Sequence, residues 1–277
     1  MDAPRLCLPA MRFSSVPLDA SLVLAALAER APRFDVRVVE ECGSTNTELV
    51  ETPPDALGRM QVLVCERQTG GRGRRGRSWV SWGGESLTFS CRWTFEPGPH
   101  VPAGLSLVAG LAVARTLEGL GADGVQLKWP NDVLVHGRKL SGILIELVQG
   151  RGRASSAVIG IGMNLRVPDD AVIEAAGGVT DLASLLSDPP DRNALLAALL
   201  GELSALLETY ASAGFVALRG AWLQRNAFAQ LPVQLSGEGW SQVGICTGVD
   251  DDGALLLETP EGLRRVLSGE ISLRLAS

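Results

Sequence analysis

Eight consecutive residues of this chain, from Gly70 to Arg77, are all glycine or arginine, four of each. Glycine lets a backbone approach a ligand closely and leaves its N–H groups accessible, and each guanidinium offers a rigid fork of donors to a phosphate or carboxylate. An apolar run at 61–65 precedes the stretch and a run rich in Trp and Phe at 79–93 follows it, which predicts a loop between two strands. We expect this Gly-Arg loop, residues 70–77, to bind an anion.

Three other interpretations of the Gly-Arg loop are open. Gly71-x-Gly73-x-x-Gly76 satisfies a dinucleotide-binding pattern. The same region departs from a Walker A phosphate loop at one position, because Arg77 stands where that loop has lysine. Both motifs must open a helix, and the following residues, with two more glycines and several strand formers, do not favour one. The third interpretation is a solvated basic turn that binds nothing, since runs of charge commonly lie on the surface.

A second candidate segment begins at Ser44. Thr45-x-x-Glu48 is a capping box, in which the threonine hydroxyl closes the start of a helix that runs to Pro53. The N-terminus of a helix also presents free N–H groups, so Ser44 and Thr45 could equally hold the polar head of a ligand. The residues alone favour neither interpretation.

Charged and polar residues also gather in a predicted hairpin. Two apolar runs, 125–135 and 138–147, are joined at His136-Gly137, which is typical of a tight turn. The hairpin and the helix before it place five such residues near one end of a sheet: Lys128, Asn131, Asp132, Arg138 and Lys139. Lys139 could also be an ordinary exposed lysine.

A buried strand at 157–165 contains Gly160 and Gly162, two residues apart. Side chains on a strand alternate between its faces, so both glycines lie on one face. Glycine inside a strand often marks a bulge or the close approach of a ligand. That face would leave room for a flat ligand.

The elements that must position these groups follow from hydrophobic periodicity. Strands are predicted at 34–39 and 85–95, and helices at 18–30, 104–120, 191–210 and 215–225. After Leu231-Pro232, short strands separated by turns rich in Gly and Asp suggest a small closed barrel of roughly 45 residues. We place the domain boundary near Ala229. The single N-terminal helix is too little for a winged or helix-turn-helix DNA reader.

Composition narrows the possible functions. Of the 277 residues, 46% are hydrophobic and 20% charged, as in a soluble globular protein. A net charge of -6 disfavours binding of nucleic acid through a basic surface. Five scattered cysteines without a C-x-x-C pair indicate free thiols, and no apolar run approaches the ~20 residues of a membrane span, so we expect a cytoplasmic protein. With only His100 and His136, neither a zinc site nor a histidine-based triad is favoured.

Six segments, in this order, resemble the catalytic module of the biotin protein ligases. They are Gly43–Asn46, Gln68–Arg77, Lys128–Asp132, Arg138–Leu144, Ile159–Asn164 and Gly269–Ser272. The resemblance runs from about residue 36 to the C-terminus. The Gly-Arg loop combined with Lys-Trp-Pro-Asn-Asp and Arg-Lys-Leu-x-Gly-Ile is far more specific than any glycine pattern alone.

The resemblance implies an α+β fold. A mixed sheet flanked by helices, of the class II synthetase-like type in biotin and lipoate ligases, would be followed by a small SH3-like β-barrel. The implied division is an N-terminal extension at 1–35, a catalytic domain at 36–228 and the barrel at 229–277. Only about 40 residues precede the Ser-Thr motif, which implies a monofunctional form without an N-terminal DNA-binding domain. We expect a monomer or weak homodimer that does not bind DNA, although strand 143–147 could pair across a dimer or lie inside the sheet.

The implied reaction has two steps. The carboxylate of biotin attacks the α-phosphate of ATP to give biotinyl-5′-AMP and pyrophosphate, and a lysine of the biotin carboxyl carrier domain of acetyl-CoA carboxylase, or of another biotin-dependent carboxylase, then takes the biotin. Mg²⁺ would come with ATP, held by phosphates and waters. Two unit charges at about 4 Å repel by about 4 kcal/mol at an effective dielectric of 20. Fixed cations are therefore needed where the two anions meet.

The resemblance also implies site residues. The biotin-binding set is Ser44, Thr45, Asn46, Gln68, Gly71, Arg72, Arg74, Lys139, Gly142 and Gly160. The ATP- or adenylate-binding set is Arg74, Trp79, Asn131, Lys139, Gly162 and Asn164. The catalytic set is Lys139, Arg74 and Asp132. Lys139 would stabilise the transition state at the α-phosphate, and Asp132 would accept the proton of the incoming lysine or orient it.

Loop closure is expected to keep the reactive adenylate from water, with the Gly-Arg loop and Trp79 as the lid. A second lid in the family often offers a bulky apolar or tryptophan side chain, where this chain has Gly177-Gly178-Val179. The alternatives are a lipoate ligase, which shares the fold and adenylate chemistry, and a non-catalytic module that binds biotin or nucleic acid. The Gly-Arg loop and the C-terminal barrel favour biotin over lipoate.

Overall fold

The computed structural model of the chain describes residues 16–55, 58–95, 103–149, 155–171, 173, 177–237, 239–268 and 271–276. Several sequence predictions lie outside these residues. They concern the first fifteen residues with Cys7, His100, and the Gly269-Glu270 half of the last motif.

A seven-stranded mixed sheet forms the larger part of the molecule, in the order β1-β2-β3-β7-β6-β5-β4. Its strands are β1 Phe34–Cys42, β2 Met60–Gln68, β3 Ser86–Thr94, β4 Val125–Lys128, β5 Asp132–Val135, β6 Arg138–Gln149 and β7 Ser155–Asn164. The pair β1–β2 is parallel and the other pairs are antiparallel. The predicted mixed sheet is confirmed.

Five α-helices accompany the sheet in the part of the chain that the structure describes: α1 Ala20–Leu27, α2 Thr45–Glu51, α3 Leu105–Gly119, α4 Arg192–Ala213 and α5 Val216–Leu223. Aspartates cap two of them, because Asp19 accepts hydrogen bonds from the first turn of α1 and Asp191 from the first turn of α4. All four helices that the sequence predicts are present; α1, α3 and α5 are shorter than predicted, and α4 ends three residues beyond its predicted end.

Helix α4 corrects one expectation. Its 22 residues are long and apolar enough to cross a membrane by length and composition, so the expectation that no apolar segment approaches that length is wrong. Inside the fold, 61% of its most apolar window is buried, and α4 packs against α1 and α3. We therefore interpret α4 as a core helix.

The predicted capping box at the start of α2 is also wrong. Ser44 is the N-cap residue and makes no capping bond through its side chain, and Thr45 already belongs to the helix. The Thr45 hydroxyl donates instead to Gln68 Oε1 at 3.1 Å. A side chain from the neighbouring strand has replaced the helix backbone as its partner.

The hairpin between β5 and β6 is confirmed. His136 and Gly137 have φ values of 48° and 75°, as the two central residues of a type I′ turn require. The resulting register places Asp132 opposite Gly142 on β6, and Lys128 opposite Asp132 on β5. The turn thus brings three segments of the predicted site to one end of the sheet.

The C-terminal strands form a second, antiparallel sheet in the order β11-β10-β9-β8-β12. They are β8 Pro232–Gly237, β9 Trp240–Val249, β10 Leu255–Thr259, β11 Gly262–Val266 and β12 Ser272–Leu275. This confirms the predicted small SH3-like domain. Trp129 Nε1 donates to the carbonyl oxygen of Gly253 at 3.1 Å, so the domain is anchored beside the Lys128–Asp132 motif. The division of the chain at residues 35 and 228 stays a prediction.

Candidate active-site cleft

A cleft of about 760 Å³ lies between the large sheet and the Gly-Arg loop. The start of α2, the hairpin β5–β6, strand β7 and the last strand of the small sheet also line it. Seven of its described lining side chains are cationic: Arg72, Arg74, Arg75, Arg77, Lys128, Lys139 and Arg274. Among the other described lining residues, Asp132 carries the one carboxylate. The volume suits a small-molecule ligand, and the charge suits an anion.

Two glycines form the floor of the cleft. Gly162 and Gly160 of β7 pair with Gly142 and Leu144 of β6. A Cβ on Gly160 would lie 2.2 Å from Asn46 Oδ1, and one on Gly162 would lie 2.3 Å from the indole ring of Trp79. The predicted open face therefore exists, and Trp79 lies over part of it.

Ser44, Thr45, Asn46 and Gln68 line one end of the cleft. With Ser90, which hydrogen-bonds to two of them, we name this set the neutral end. The Thr45 backbone N–H donates to Gln68 Oε1 at 2.7 Å. Ser90 Oγ donates to Asn46 Oδ1 at 2.6 Å and lies 2.7 Å from Thr45 Oγ1. All of these residues are buried except Gln68, which is half-buried. The end offers an ordered set of uncharged donors and acceptors.

The neutral end is joined to the Gly-Arg loop through Glu146. Asn46 Nδ2 donates to Glu146 Oε2 at 2.9 Å, and Arg72 Nη2 lies 2.5 Å from Glu146 Oε1. Arg72 Nη1 also donates to Thr47 Oγ1 at 3.1 Å. Sequence reasoning missed Glu146 and Ser90. Strand alternation could have found Glu146, which is two and four residues beyond Leu144 and Gly142 on the same face of β6.

The opposite end, which we name the cationic end, consists of Lys128, Asp132, Lys139, Arg77 and Arg274. Lys139 Nζ lies 2.6 Å from Asp132 Oδ1, and Lys128 Nζ lies 3.8 Å from Asp132 Oδ2. Burial lowers the pKa of Lys128; Asp132 opposes this shift, and Lys139, Arg274 and Arg77 add to it. A single carboxylate thus faces several positive charges.

Arg74 connects the Gly-Arg loop to the hairpin. Its Nη1 donates to Asn131 Oδ1 at 3.3 Å, and Asn131 Nδ2 donates to the carbonyl oxygen of Ile143 at 2.9 Å. Gly71 holds the loop backbone close to Trp79, since a Cβ there would lie 2.3 Å from the Trp79 carbonyl oxygen. These contacts dock the loop over the sheet.

Near the cationic end, the segment at Gly178 runs beside β6. The Lys139 N–H donates to the Gly178 carbonyl oxygen at 3.0 Å, and the Thr180 N–H donates to the Lys139 carbonyl oxygen at 2.9 Å. Asn164, which is buried, donates from Nδ2 to the Thr180 carbonyl oxygen at 3.1 Å. Val179 lines the cleft here, so the position of the expected second lid borders Lys139.

Nearly all the site residues that the sequence predicts meet in this one cleft. Fourteen of them line it: Ser44, Thr45, Asn46, Gln68, Arg72, Arg74, Trp79, Asn131, Asp132, Lys139, Gly142, Gly160, Gly162 and Asn164. Gly71 is not among its lining residues. Arg77 and Arg274 were not predicted as site residues. No local signal marks Arg274, because it reaches the cleft only when the small sheet docks.

The chain matches two family models. Residues 42–164 match the Biotin/lipoate A/B protein ligase family, and residues 232–274 match the biotin protein ligase C-terminal domain. These two regions include the cleft from α2 to β7 and the small sheet that supplies Arg274.

The chain is also similar in sequence and structure to individual biotin ligases. The chain is 39% identical over 246 residues to the bifunctional ligase/repressor BirA of Escherichia coli (strain K12), covering 87% of this chain and 74% of that protein. It is 38% identical over 241 residues to a biotin–acetyl-CoA-carboxylase ligase of Paracoccus denitrificans, covering 82% of this chain and 96% of that protein. The structure of the biotin protein ligase from Aquifex aeolicus in complex with biotin and ATP matches with a TM-score of 0.74 and 31% identity, covering 87% of this chain and 99% of that chain.

Proposed function

This chain belongs to the biotin protein ligases of the biotin/lipoate A/B protein ligase family, and we propose that its cleft activates biotin with ATP and passes it to a carrier-domain lysine. One observation carries the proposal. A neutral, hydrogen-bonding end and a cationic end share one glycine floor. Biotin has a polar uncharged ring system at one end and a carboxylate at the other, and ATP brings the phosphates.

The neutral end favours biotin over lipoate. Thr45, Asn46 and Ser90 are buried hydrogen-bonding groups, and a ureido ring offers donors and acceptors that can replace or extend their bonds. The dithiolane ring of lipoate has no N–H or carbonyl group, so it would leave those buried groups without compensation. A polar site of this kind strongly disfavours an analogue that lacks the polar group.

We assign the first step to the region around Lys139. An oxygen of the biotin carboxylate forms a bond to the α-phosphorus of ATP, and pyrophosphate leaves with the electrons of the broken P–O bond. Lys139 and Arg74 would stabilise the charge that gathers on the α-phosphate oxygens. Lys128, Arg77 and Arg274 would hold the β- and γ-phosphates, since they face the same space with Asp132 as the only carboxylate among the described lining residues.

We assign the proton of the second step to Asp132. The amine of the carrier lysine attacks the acyl carbon of biotinyl-5′-AMP, AMP leaves, and the nitrogen must lose a proton to become an amide. Asp132 lies beside Lys139 at 2.6 Å, at the end of the cleft where the acyl phosphate would be. It can therefore accept that proton or orient the amine.

Mg²⁺ would arrive with ATP. The described residues contain no group of three or more His, Cys, Asp or Glu side chains placed to hold a metal ion. Asp132, the carboxylate among the described residues that line the cleft, is already paired with two lysines. The ion would be held mainly by phosphate oxygens and waters, where it shields their charge.

The partner that this site requires is a biotin carboxyl carrier domain of acetyl-CoA carboxylase or of another biotin-dependent carboxylase. A cytoplasmic location, a monomeric or weakly dimeric state and the lack of DNA binding stay predictions.

The decisive experiment is a pyrophosphate-release assay with ATP and Mg²⁺ in three parallel arms, with biotin, with lipoate and without an acid, followed by addition of a carrier domain. Biotin-dependent release and a biotinylated carrier are expected. Release with lipoate alone would assign the chain to the sister activity. Tight biotin binding without release would make it a binding module and would remove the catalytic roles of Lys139 and Arg74.

A further inference from the structure

Glu146 of β6 contacts both the neutral end and the Gly-Arg loop. It shares a face of the strand with Gly142 and Leu144, next to the glycine floor. Its Oε2 accepts from Asn46 Nδ2 at 2.9 Å, and its Oε1 lies 2.5 Å from Arg72 Nη2. The two oxygens of one carboxylate therefore serve two different parts of the cleft.

This ion pair differs from the exposed Arg–Glu pairs elsewhere on the protein. In the pair Arg33–Glu208 the side chains are 57% and 46% exposed, and in Arg264–Glu261 they are 52% and 67% exposed. In the pair Arg72–Glu146 the arginine is 49% exposed, as in those pairs, but the Glu146 side chain is only 24% exposed. Exposed pairs gain little, partly because two long side chains must be ordered. At Glu146, the bond from the buried Asn46 already orders the carboxylate.

The guanidinium of Arg72 is fixed from a second direction. Its Nη1 donates to Thr47 Oγ1 at 3.1 Å, in the first turn of α2. The loop is thus tied to α2 and to β6 at the neutral end, and Arg74 ties it to Asn131 nearer the cationic end. Glu146 connects Arg72 of the Gly-Arg loop to Asn46 of the neutral end.

We infer that Glu146 is a positioning residue that latches the Gly-Arg loop over the neutral end and couples that closure to the ligand ring through Asn46. The inference rests on the proposed function, because the loop must retain the biotinyl adenylate. A ligand ring that engages Asn46 orders the Glu146 carboxylate, and the ordered carboxylate holds Arg72 down. Loss of the Glu146 charge frees the loop at this end and leaves Lys139, Lys128 and Arg274, which lie outside the loop, unchanged.

The test is the rate at which preformed biotinyl-5′-AMP escapes from the full-length protein. The adenylate is formed with labelled biotin, excess substrate is removed, and release is followed in wild type, Glu146→Gln and the matched control Glu208→Gln. Glutamine retains an oxygen for Asn46 and loses the charge for Arg72. We expect escape about fivefold faster in Glu146→Gln, the size of an ordinary ion pair, and unchanged escape in Glu208→Gln. We also expect a raised KM for biotin and an unchanged KM for ATP, a split that a general loss of stability would not produce.

A double-mutant cycle decides whether the effect passes through Arg72. In an Arg72→Gln background, Glu146→Gln should have no further effect on escape. Equal escape in wild type and Glu146→Gln would overturn the latch, and so would an effect of Glu146→Gln that persists when Arg72 is already removed. If wild type forms no adenylate with biotin, the proposed function fails instead, and that result is separate from the others.

Discussion

The two ends of the cleft differ in how their polar groups are compensated by other protein groups. At the neutral end, Thr45, Asn46 and Ser90 are 4%, 3% and 0% exposed and hydrogen-bond within the network. At the cationic end, Asp132 faces Lys128 and Lys139 together with exposed arginines. The polar groups of the first end pair with one another, whereas the second end carries an excess of positive charge.

Under the proposed function, this difference would separate recognition of the acid from the chemical steps. A preorganised network of neutral groups discriminates by shape and by the cost of unpaired polar atoms, so it suits the choice of the acid. An excess of fixed positive charge stabilises anions and, most of all, the charge that develops in the transition state. The neutral end comes from neighbouring elements, α2 and strands β2 and β3. The cationic end is assembled from four separate segments: the loop, β4, the hairpin β5–β6, and β12.

The largest expected effect is at the cationic end. Lys139→Ala should lower the rate of biotin-dependent pyrophosphate release by about 10²–10³-fold, the size found when one fixed donor to a developing charge is removed. The melting temperature should change little, because Asp132 keeps Lys128 as an ion-pair partner when Lys139 is removed. Arg138→Ala, at the exposed neighbouring position, is the matched control. Unchanged adenylation in Lys139→Ala would remove Lys139 from the reacting centre.

A methyl group on the glycine floor should disturb only the neutral end. In Gly160→Ala the new Cβ would lie 2.2 Å from Asn46 Oδ1, so Asn46 must move away from Ser90 and Glu146. Overpacking of about 1–3 kcal/mol predicts a KM for biotin that is raised about 10- to 100-fold, with a nearly unchanged KM for ATP. Gly220→Ala, which has free space in α5, controls for the loss of a glycine. An equal rise in both KM values would show that the two ends are not separable.

The contribution of the small sheet should appear only with ATP. Arg274→Ala should raise the KM for ATP and leave the KM for biotin unchanged. The rise should be only about tenfold, because Arg274 is exposed and its attraction to phosphates is screened. The effect should shrink as the salt concentration rises. Arg264→Ala on β11 removes an arginine of the same small sheet that does not line the cleft. A matching rise in the KM for biotin would mean that Arg274 supports the fold of the cleft and not the phosphates.

The smallest expected effect is a dependence on pH. Burial lowers the pKa of Lys128 below its ordinary 10.5, so this lysine loses its proton at a lower pH than an exposed lysine would. Bound phosphates favour the ammonium form; the affinity for ATP should therefore fall, by about threefold at most, as the pH rises through the lowered pKa. The KM for ATP measured from pH 7 to pH 10 checks this. The fall in ATP affinity should be absent in Lys128→Arg, whose guanidinium stays charged. The KM for biotin should not change with pH over this range, because the neutral-end side chains carry no ionisable group.

The sequence predicted much of the site because the relevant signals are local. The Gly-Arg loop, the tight turn at His136-Gly137 and the two glycines of β7 each act through backbone conformation or strand alternation within a few residues. The capping box at Thr45 is the informative error. A helix does begin at this segment. The Thr45 hydroxyl, however, donates its hydrogen bond to Gln68, 23 residues away, and not to the helix backbone.

The sequence by itself determined the kinds of chemistry that this protein can perform: a loop of fixed donors for anions, lysines beside a carboxylate, and a strand face without side chains. The tertiary structure alone decided which of these groups share a site and in what balance. Glu146 became a partner of Arg72 because β6 passes beneath the loop, and Arg274 joined the cations that line the cleft because Trp129 anchors the small sheet there. Both contacts join residues far apart in the chain, and their existence depends on packing that no local pattern encodes.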